Sequence, residues 1–239
     1  MYVFGFVTAW LGYRASAKKP GSPVSVGEVE DMIFYGAIGV FAGGRIGYML
    51  LYNFSGLLAN PLSLFSVWEG GMSFHGGMLG VLLAMWIYAR RKQQNYFTIT
   101  DFIAPWIPTG LFFGRIGNFI NGELWGRVTD VPWAIVYQGE PRHPNQLYEA
   151  ALEGVVLLAV LLLFSAKPRP RMAVSGLFLL LYGTFRIAIE FIRVPDNGVY
   201  LAWDWLTWGQ VYSAPMVIFG VVLLRKAYGR RNPQLGRAL

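Results

Sequence analysis

The fold class follows from one stretch of the chain, LYEAALEGVVLLAVLLLF, at residues 147–164. Its side chains are apolar almost throughout, and they lack the sustained alternation that a half-buried strand would need. An α-helix of this length is about 27 Å long, close to the roughly 30 Å hydrocarbon core of a bilayer. Because a membrane segment must satisfy its own backbone hydrogen bonds, the stretch predicts a transmembrane helix.

Further apolar runs extend this pattern along the chain, at residues 1–13, 32–52, 72–89, 102–119, 174–192 and 206–224. Most can span a bilayer, whereas a helix over the first run would reach only about 20 Å. The chain is 55% hydrophobic and 14% charged, against about a quarter charged residues in soluble domains. We therefore predict an all-α, polytopic membrane protein of about seven transmembrane helices, with residues 1–239 as a single transmembrane domain.

The basic residues between the runs predict the orientation. They cluster after the first, third, fifth and seventh runs: Arg14, Lys18, Lys19; Arg90, Arg91, Lys92; Lys167, Arg169, Arg171; and Arg225, Lys226, Arg230, Arg231, Arg237. The positive-inside tendency places these connections in the cytoplasm, with the amino terminus outside and the carboxyl terminus inside. The clusters form no single stripe interleaved with stacking aromatics, so we expect no nucleic-acid partner.

The remaining basic residues are all arginines, at Arg45, Arg115, Arg127, Arg142, Arg186 and Arg193. By this topology they lie inside helices or toward the outer face, where ionisable groups are rare and usually functional. Arginine favours bidentate recognition of phosphate or carboxylate. Glu190 follows Arg186 by four residues and is placed to pair with it on one helical face. We predict a buried anion site lined by arginine, with lipid headgroups as the nearest supply of anions.

The densest polar motif is GRIGNFINGELWGR, at residues 114–127. Its glycines allow the chain to leave helical geometry and expose backbone N–H groups to an anion. Asn118 and Asn121 add amide donors, and Glu123 adds a carboxylate eight residues after Arg115. The chain contains no cysteine, so any sulfur chemistry must use sulfur from another molecule.

This motif resembles the signature of the bacterial prolipoprotein diacylglyceryl transferases, G-R-x-G-N-F-x-N-x-E-x-x-G, which residues 114–126 match at every fixed position. Four further stretches match in family order: GGRIGY at 43–48, MSFHGG at 72–77, RHPNQLYE at 142–149 and FRIAIEFIRVPD at 185–196. The resemblance covers nearly the whole chain.

The resemblance implies a multi-pass enzyme of the bacterial inner (plasma) membrane, with its active site toward the periplasm. Such an enzyme transfers the diacylglyceryl group of phosphatidylglycerol to the lipobox cysteine in the signal peptide of a prolipoprotein. A thioether forms and glycerol 1-phosphate is released. The implied partners are phosphatidylglycerol, prolipoprotein signal peptides and membrane lipids, and the reaction needs no metal or cofactor.

The resemblance also implies roles for individual residues. Arg115 would hold the phosphatidylglycerol phosphate, with Asn118 donating nearby and Gly126 leaving room for the headgroup. Arg186 would stabilise the departing phosphate, and Glu190 would orient this arginine. Fixed cations placed where negative charge develops are usually the largest electrostatic contribution to catalysis.

The identity of the general base stays open at this point. His75 matches the family histidine proposed to deprotonate the thiol, and an imidazole pKa suits that role. Glu123 is the competing base, and His143 is a third candidate. Arg193 joins the expected phospholipid-binding residues, whereas Tyr182, four residues before Arg186, is placed either to contact lipid or to pack.

The chain departs from the family pattern at two places, and its arginines also allow one alternative function. The chain begins at Met1-Tyr2, the end of the family motif W-Y-G-L-M-Y, so we expect the amino-terminal periplasmic segment and its tyrosine to be missing. Residues 127–146 should form a short periplasmic cap loop. The main alternative is an anion or lipid transporter that uses the intramembrane arginines, although no convincing internal repeat is present.

Overall fold

All seven apolar runs fall in helices in the computed structural model, which describes residues 1–66, 68, 70–194, 201–202 and 205–229. The helices are α1 Tyr2–Ala17, α2 Val29–Leu51, α3 Phe54–Ala59, α4 Phe74–Arg91, α5 Tyr96–Ile103, α6 Ile107–Ile120, α7 Asn145–Glu149, α8 Leu157–Ser165, α9 Ala173–Glu190 and α10 Trp208–Gly229. Arg230, Arg231 and Arg237, part of the last basic cluster, lie outside the described residues.

Four helical stretches among the described residues are long and apolar enough to cross a membrane: Val26–Leu51, Asn145–Ser165, Ala173–Glu190 and Trp208–Gly229. The prediction of a mostly helical, membrane-embedded protein is thereby confirmed. The count of seven spans and the orientation of the two termini stay predictions.

The chain divides into two compact units, which we describe separately. Unit 1 contains residues 1–13 and 101–239, and unit 2 contains residues 14–100. Unit 2 is built on the pair α2 and α4, and unit 1 is built on α6 to α10.

In unit 2, α2 and α4 approach so closely that their backbones touch. The contact is a ladder of glycines spaced four residues apart, at Gly39, Gly43 and Gly47 on α2 and at Gly76 and Gly80 on α4. A Cβ atom at Gly47 would lie 2.7 Å from the Cα of Gly76, and one at Gly43 would lie 2.8 Å from the Cα of Gly80. Small residues of this kind are what allows membrane helices to pack closely, so the ladder sets the geometry of unit 2.

In unit 1, α9 begins where the side chain of Asp101 accepts three hydrogen bonds. They come from the backbone N–H of Met172 at 2.7 Å, and from the backbone N–H and hydroxyl of Ser175 at 2.7 and 2.6 Å. A carboxylate satisfies otherwise unpaired amides at a helix N-terminus and favours its positive dipole end. Behind this cap, α8 and α9 share a core of Leu157, Leu161 and Val174. The cap and core fix the position of α9, which carries Arg186.

The span Asn145–Ser165 is not α-helical throughout, because Ala150–Val156 forms a π-helix between α7 and α8. Gly154 lets this segment lie against α6, since a Cβ there would be 2.7 Å from the Cβ of Phe112. Widened turns of this kind occur frequently at functional sites. Here the π-segment carries Glu153, one of the site residues described below.

An antiparallel hairpin occupies part of the stretch predicted as a cap loop. Strand β1 (Ile135–Tyr137) pairs with β2 (Glu140–Arg142) in the register Ile135 to Arg142. Gln138 and Gly139 have φ angles of 53° and 85° at the turn, as two-residue hairpin turns require. Trp125 stacks on Tyr137 at 4.7 Å between ring centroids. The hairpin is therefore attached to the chain that leaves α6, and it is a β element that the sequence did not predict.

Candidate functional site

The centre of unit 1 holds a buried ionic cluster that joins helices α6, α7 and α9. Glu149 lies between two arginines: Arg115 Nε is 2.8 Å from its Oε2, and Arg186 Nη1 donates to its Oε1 at 2.6 Å. Arg186 also contacts Glu190 at 2.7 Å, and Arg115 contacts Glu153 at 3.4 Å. The pair of Arg186 and Glu190 predicted from their spacing is present.

The cluster continues past the end of α9. Arg193 Nη1 donates to Glu190 Oε1 at 3.1 Å, and the Thr207 hydroxyl donates to Glu190 Oε2 at 2.6 Å. A Cβ at Gly209 would lie 2.8 Å from Glu190 Oε2, so a side chain there would displace the carboxylate. Glu190 is thus fixed from three directions, and it holds Arg186 and Arg193 in turn.

Charge and exposure in this cluster are distributed unequally. Its three arginines, Arg115, Arg186 and Arg193, formally balance its three glutamates, Glu149, Glu153 and Glu190. The glutamate side chains are at most 2% exposed, whereas Arg115 and Arg186 retain 18% and 13%. The carboxylates are therefore enclosed, whereas the side chains of Arg115 and Arg186 keep some exposed surface.

The other three intramembrane or outer arginines use backbone carbonyls as acceptors. Arg45 donates to carbonyls between residues 63 and 71 in unit 2. Arg127 donates to the carbonyl of Arg193 at 3.2 Å, and Arg142 to that of Gly126 at 3.3 Å, beside its contact with Glu140. The six arginines that the sequence places in one group therefore form two groups in the structure. Three belong to the ionic cluster, and three donate hydrogen bonds to backbone carbonyls.

Glu123 lies at a turn just after α6, where its own motif holds it. Asn118 donates to one carboxylate oxygen at 2.9 Å and Asn121 to the other at 3.4 Å. Gly122 and Leu124 have positive φ angles of 71° and 60°, which reverse the chain on both sides of Glu123. This carboxylate is exposed and directed by amides, in contrast to the enclosed carboxylates of the cluster.

Gly126 lies where three segments of backbone cross. Its N–H donates to the carbonyl of His143 at 3.0 Å, and the next N–H, of Arg127, donates to the carbonyl of Ile192 at 3.0 Å. A Cβ at Gly126 would lie 2.7 Å from the Cβ of His143. Close backbone packing therefore accounts for this glycine. Its expected place beside a headgroup stays a prediction.

The two histidines occupy different surroundings. His75 is exposed in the first turn of α4 in unit 2, just after Ser73, whose hydroxyl accepts from the Gly76 N–H at 3.2 Å. His143 belongs to unit 1, and its Nδ1 lies 3.3 Å from the hydroxyl of Tyr148. Trp133 donates to that same hydroxyl at 2.7 Å. His143 is thus engaged in a contact that holds the hairpin to α7.

Tyr182 is half-buried on α9, one turn before Arg186. Its ring stacks on Phe178, with centroids 5.8 Å apart and planes 6° apart, and it packs on the core of α8 and α9. Of the two readings left open by the sequence, packing is observed. Contact of this tyrosine with lipid stays a prediction.

Glu149 and Glu153 are site residues that the sequence motifs did not predict. A usable signal was present, since two carboxylates four residues apart stand in one of the most apolar stretches of the chain. Carboxylates inside a membrane span are costly unless they are paired, so each one implies a cationic partner. The cationic partners of these carboxylates, Arg115 and Arg186, lie on other helices, so only the three-dimensional structure identifies them.

Fold and site together define a class: a helical membrane protein with a buried arginine–carboxylate site suited to an anionic, phosphate-bearing ligand. Comparison with known proteins narrows this class. The family described as prolipoprotein diacylglyceryl transferase matches residues 1–226. The chain belongs to this family, as its sequence motifs predicted.

Curated relatives agree with the family assignment over nearly the whole chain. A relative from Methylococcus capsulatus is 55% identical over 237 residues, covering 97% of this chain and 90% of that protein. One from Oleidesulfovibrio alaskensis is 56% identical over 228 residues, covering 94% and 85%, and one from Aeromonas hydrophila is 55% identical over 240 residues, covering 98% and 86%. Each bears the name phosphatidylglycerol–prolipoprotein diacylglyceryl transferase.

Proposed function

We propose that the protein transfers the diacylglyceryl group of phosphatidylglycerol to the lipobox cysteine of a prolipoprotein, the first step of lipoprotein maturation. Family membership and the names of the curated relatives support this activity. The observation that carries it in the structure is the pair Arg115 and Arg186, two arginines with partly exposed side chains that one enclosed carboxylate holds together.

The reaction places particular demands on the site. The cysteine sulfur forms a bond to the glyceryl carbon, and the bond from that carbon to the phosphate oxygen breaks. The thiol proton passes to a base, and the leaving glycerol 1-phosphate gains negative charge as it departs. Arg115 and Arg186 provide fixed positive charge for that phosphate, and electrostatic stabilisation of this kind is usually the largest contribution to rate.

Three residues compete for the role of base: His75, Glu123 and His143. A variant that lacks only the base should regain activity as the pH rises, because the thiol, with a pKa near 8.5, then ionises unaided. We propose to compare His75→Gln, Glu123→Gln and His143→Gln between pH 7 and pH 9. The base is the residue whose variant recovers most strongly, whereas a variant damaged in structure stays low at both pH values.

The activity itself is tested with purified protein, phosphatidylglycerol vesicles and a lipobox peptide. The peptide should gain the mass of a diacylglyceryl group with equal release of glycerol phosphate, and a peptide with serine for cysteine should gain none. Arg115→Ala should lose about two to three decades of rate. Unmodified peptide together with anion flux across the vesicles would instead support a transporter.

We also propose the finer placement: seven spans in the inner membrane, a periplasmic amino terminus and active site, and a cytoplasmic carboxyl terminus. The chain has no cysteine, so single cysteines can be introduced into an otherwise unreactive background. Val136→Cys in β1 and Lys19→Cys after α1 are both at exposed positions. A membrane-impermeant maleimide added to spheroplasts should label Val136→Cys and spare Lys19→Cys, and the reverse pattern would overturn the orientation.

A further inference from the structure

Among the described residues, Glu149 is the one that forms ion pairs with both Arg115 and Arg186. Its Oε1 accepts from Arg186 Nη1 at 2.6 Å, and its Oε2 lies 2.8 Å from Arg115 Nε. The carboxylate is fully buried, at 0% exposed. A group in this position cannot itself meet a substrate in bulk solvent or lipid, so its influence must pass through the two guanidinium groups.

The surroundings of Glu149 fix its orientation. Asn145, also fully buried and one turn earlier on α7, donates its side-chain amide to Glu149 Oε1 at 3.0 Å. Directly after Glu149 the chain enters the π-segment Ala150–Val156. Anchored in this way, Glu149 can set the plane and separation of two arginines that belong to different helices, α6 and α9.

We propose that Glu149 is a positioning residue that couples the two arginines, so that the one holding the lipid phosphate and the one receiving the leaving-group charge act as one unit. This inference rests on the proposed transferase activity. It predicts that disturbing one guanidinium through its contact with Glu149 also misplaces the other. Supporting shells of this kind are needed because small misplacements in a site strongly reduce rate.

The decisive test measures the coupling between Arg115 and Arg186 with and without Glu149. Arg115→Lys and Arg186→Lys keep the charge but lose the planar fork. If Glu149 couples the arginines, the double variant should be about tenfold more active than the product of the single losses predicts, since contacting groups are not additive. In the Glu149→Gln background the two losses should multiply. Coupling that persists unchanged there would show that it passes through the substrate, and would overturn the inference.

Two conservative variants of Glu149 distinguish the contribution of its side-chain length from that of its negative charge. Glu149→Asp retains the negative charge but is one methylene shorter, so it cannot keep both contacts at 2.6 and 2.8 Å. We expect kcat to fall by about tenfold or more in both Glu149→Asp and Glu149→Gln, together with a rise in KM for phosphatidylglycerol, because Arg115 is misplaced along with Arg186. Full activity in Glu149→Asp would show that charge alone suffices and would overturn the bridging role.

Control variants keep the outcome interpretable. Glu140→Gln removes a carboxylate that also pairs with an arginine but lies exposed on the hairpin, and it should retain wild-type kcat. If the Glu149 variants do not fold in detergent, Asn145→Ala removes the hydrogen bond that orients Glu149 and keeps the carboxylate itself, and it should lower kcat in the same direction by a smaller factor. Wild-type kcat in folded Asn145→Ala or Glu149→Gln would reject the inference while the activity stands. A wild-type protein that leaves the peptide unmodified would reject the activity itself.

Discussion

Two buried arginine sites, one in each unit, use the same side chain in opposite ways. Arg45 in unit 2 is buried, its hydrogen-bond acceptors are the carbonyls of Ser63, Leu64, Gly70 and Gly71, and its guanidinium lies over the Tyr48 ring. Arg186 in unit 1 is partly buried, and two carboxylates hold it. One guanidinium is paired with backbone, and the other is paired with acidic side chains.

The difference teaches what distinguishes a structural arginine from a binding one inside a membrane protein. Backbone carbonyls that accept from Arg45 belong to one loop, so the arginine organises that loop and has no accessible donors to offer a ligand. The carboxylates of Glu149 and Glu190 hold Arg186 in one orientation. We propose that a phosphate binding at Arg186 meets donors that are already oriented. Partner type and residual exposure, taken together, separate the two roles.

The largest effect is expected when Arg186, the proposed binding arginine, is replaced. Arg186→Ala should lower kcat by about two to three decades, because a fixed cation is lost where the leaving phosphate gains charge. Arg186→Lys should recover part of that loss, since charge returns without the fork. The measurement is the rate of peptide modification per folded molecule. A rate within about fivefold of wild type in folded Arg186→Ala would contradict a role for Arg186 in binding the phosphate.

Replacing the structural arginine should affect stability and not chemistry. Arg45→Ala removes the guanidinium that donates to carbonyls between residues 63 and 71, and each lost hydrogen bond is worth about 0.5–1.5 kcal/mol. We expect a lower thermal unfolding midpoint in detergent and faster proteolysis between residues 63 and 71. The kcat of the remaining folded protein should be near wild type. A large fall in kcat without any change in the midpoint would contradict the structural assignment.

A substitution in the glycine ladder tests whether close packing of α2 and α4 stabilises unit 2. Gly80→Ala places a methyl group 2.9 Å from the Cα of Gly43 and should push α2 and α4 apart. Overpacking of this kind costs about 1–3 kcal/mol, which the thermal midpoint should report. Gly27→Ala is the matched control, because nothing lies within 4 Å of a Cβ at that position. Equal midpoints for the two variants would argue against the ladder.

The smallest expected effect concerns the cap of α9. Asp101→Ala removes the acceptor of the Met172 and Ser175 amides and should cost about 1 kcal/mol of stability. Asp101→Asn keeps one acceptor oxygen and should fall between wild type and Asp101→Ala. Thermal midpoints of the three proteins give the order. An Asp101→Ala midpoint equal to that of the wild type would show that the cap contributes little to holding α9.

Much of the fold was predictable because the apolar runs are long and the bilayer demands helices. The pairing of Arg186 with Glu190 was also predictable, since four residues along a helix bring two side chains onto one face. The partners of Arg45, Arg127 and Arg142 were not, because backbone carbonyls carry no signal in a sequence. For the same reason the sequence grouped six arginines together that the structure separates.

The rest of the site depends on contacts between distant segments. Glu149 contacts Arg115 and Arg186 only after α6, α7 and α9 pack together. The spacing of residues within any one helix therefore does not predict these contacts. The hairpin was missed because its strands, Ile135–Tyr137 and Glu140–Arg142, are three residues each and too short to show alternation. Its turn, Gln138-Gly139, is a weak signal that a search for apolar spans does not seek.

The π-segment is reflected in the spacing of the buried positions along its span. Among the residues of Asn145–Ser165 that are 0% exposed, five form one row: Asn145, Glu149, Glu153, Leu157 and Leu161. They recur every fourth residue, and in an unbroken α-helix such a row would drift by about 40° at each step. Broader turns at Ala150–Val156 take up part of that drift and keep the row facing inward. A buried row of period four, in place of 3.6, is therefore what a locally underwound helix produces along a membrane span.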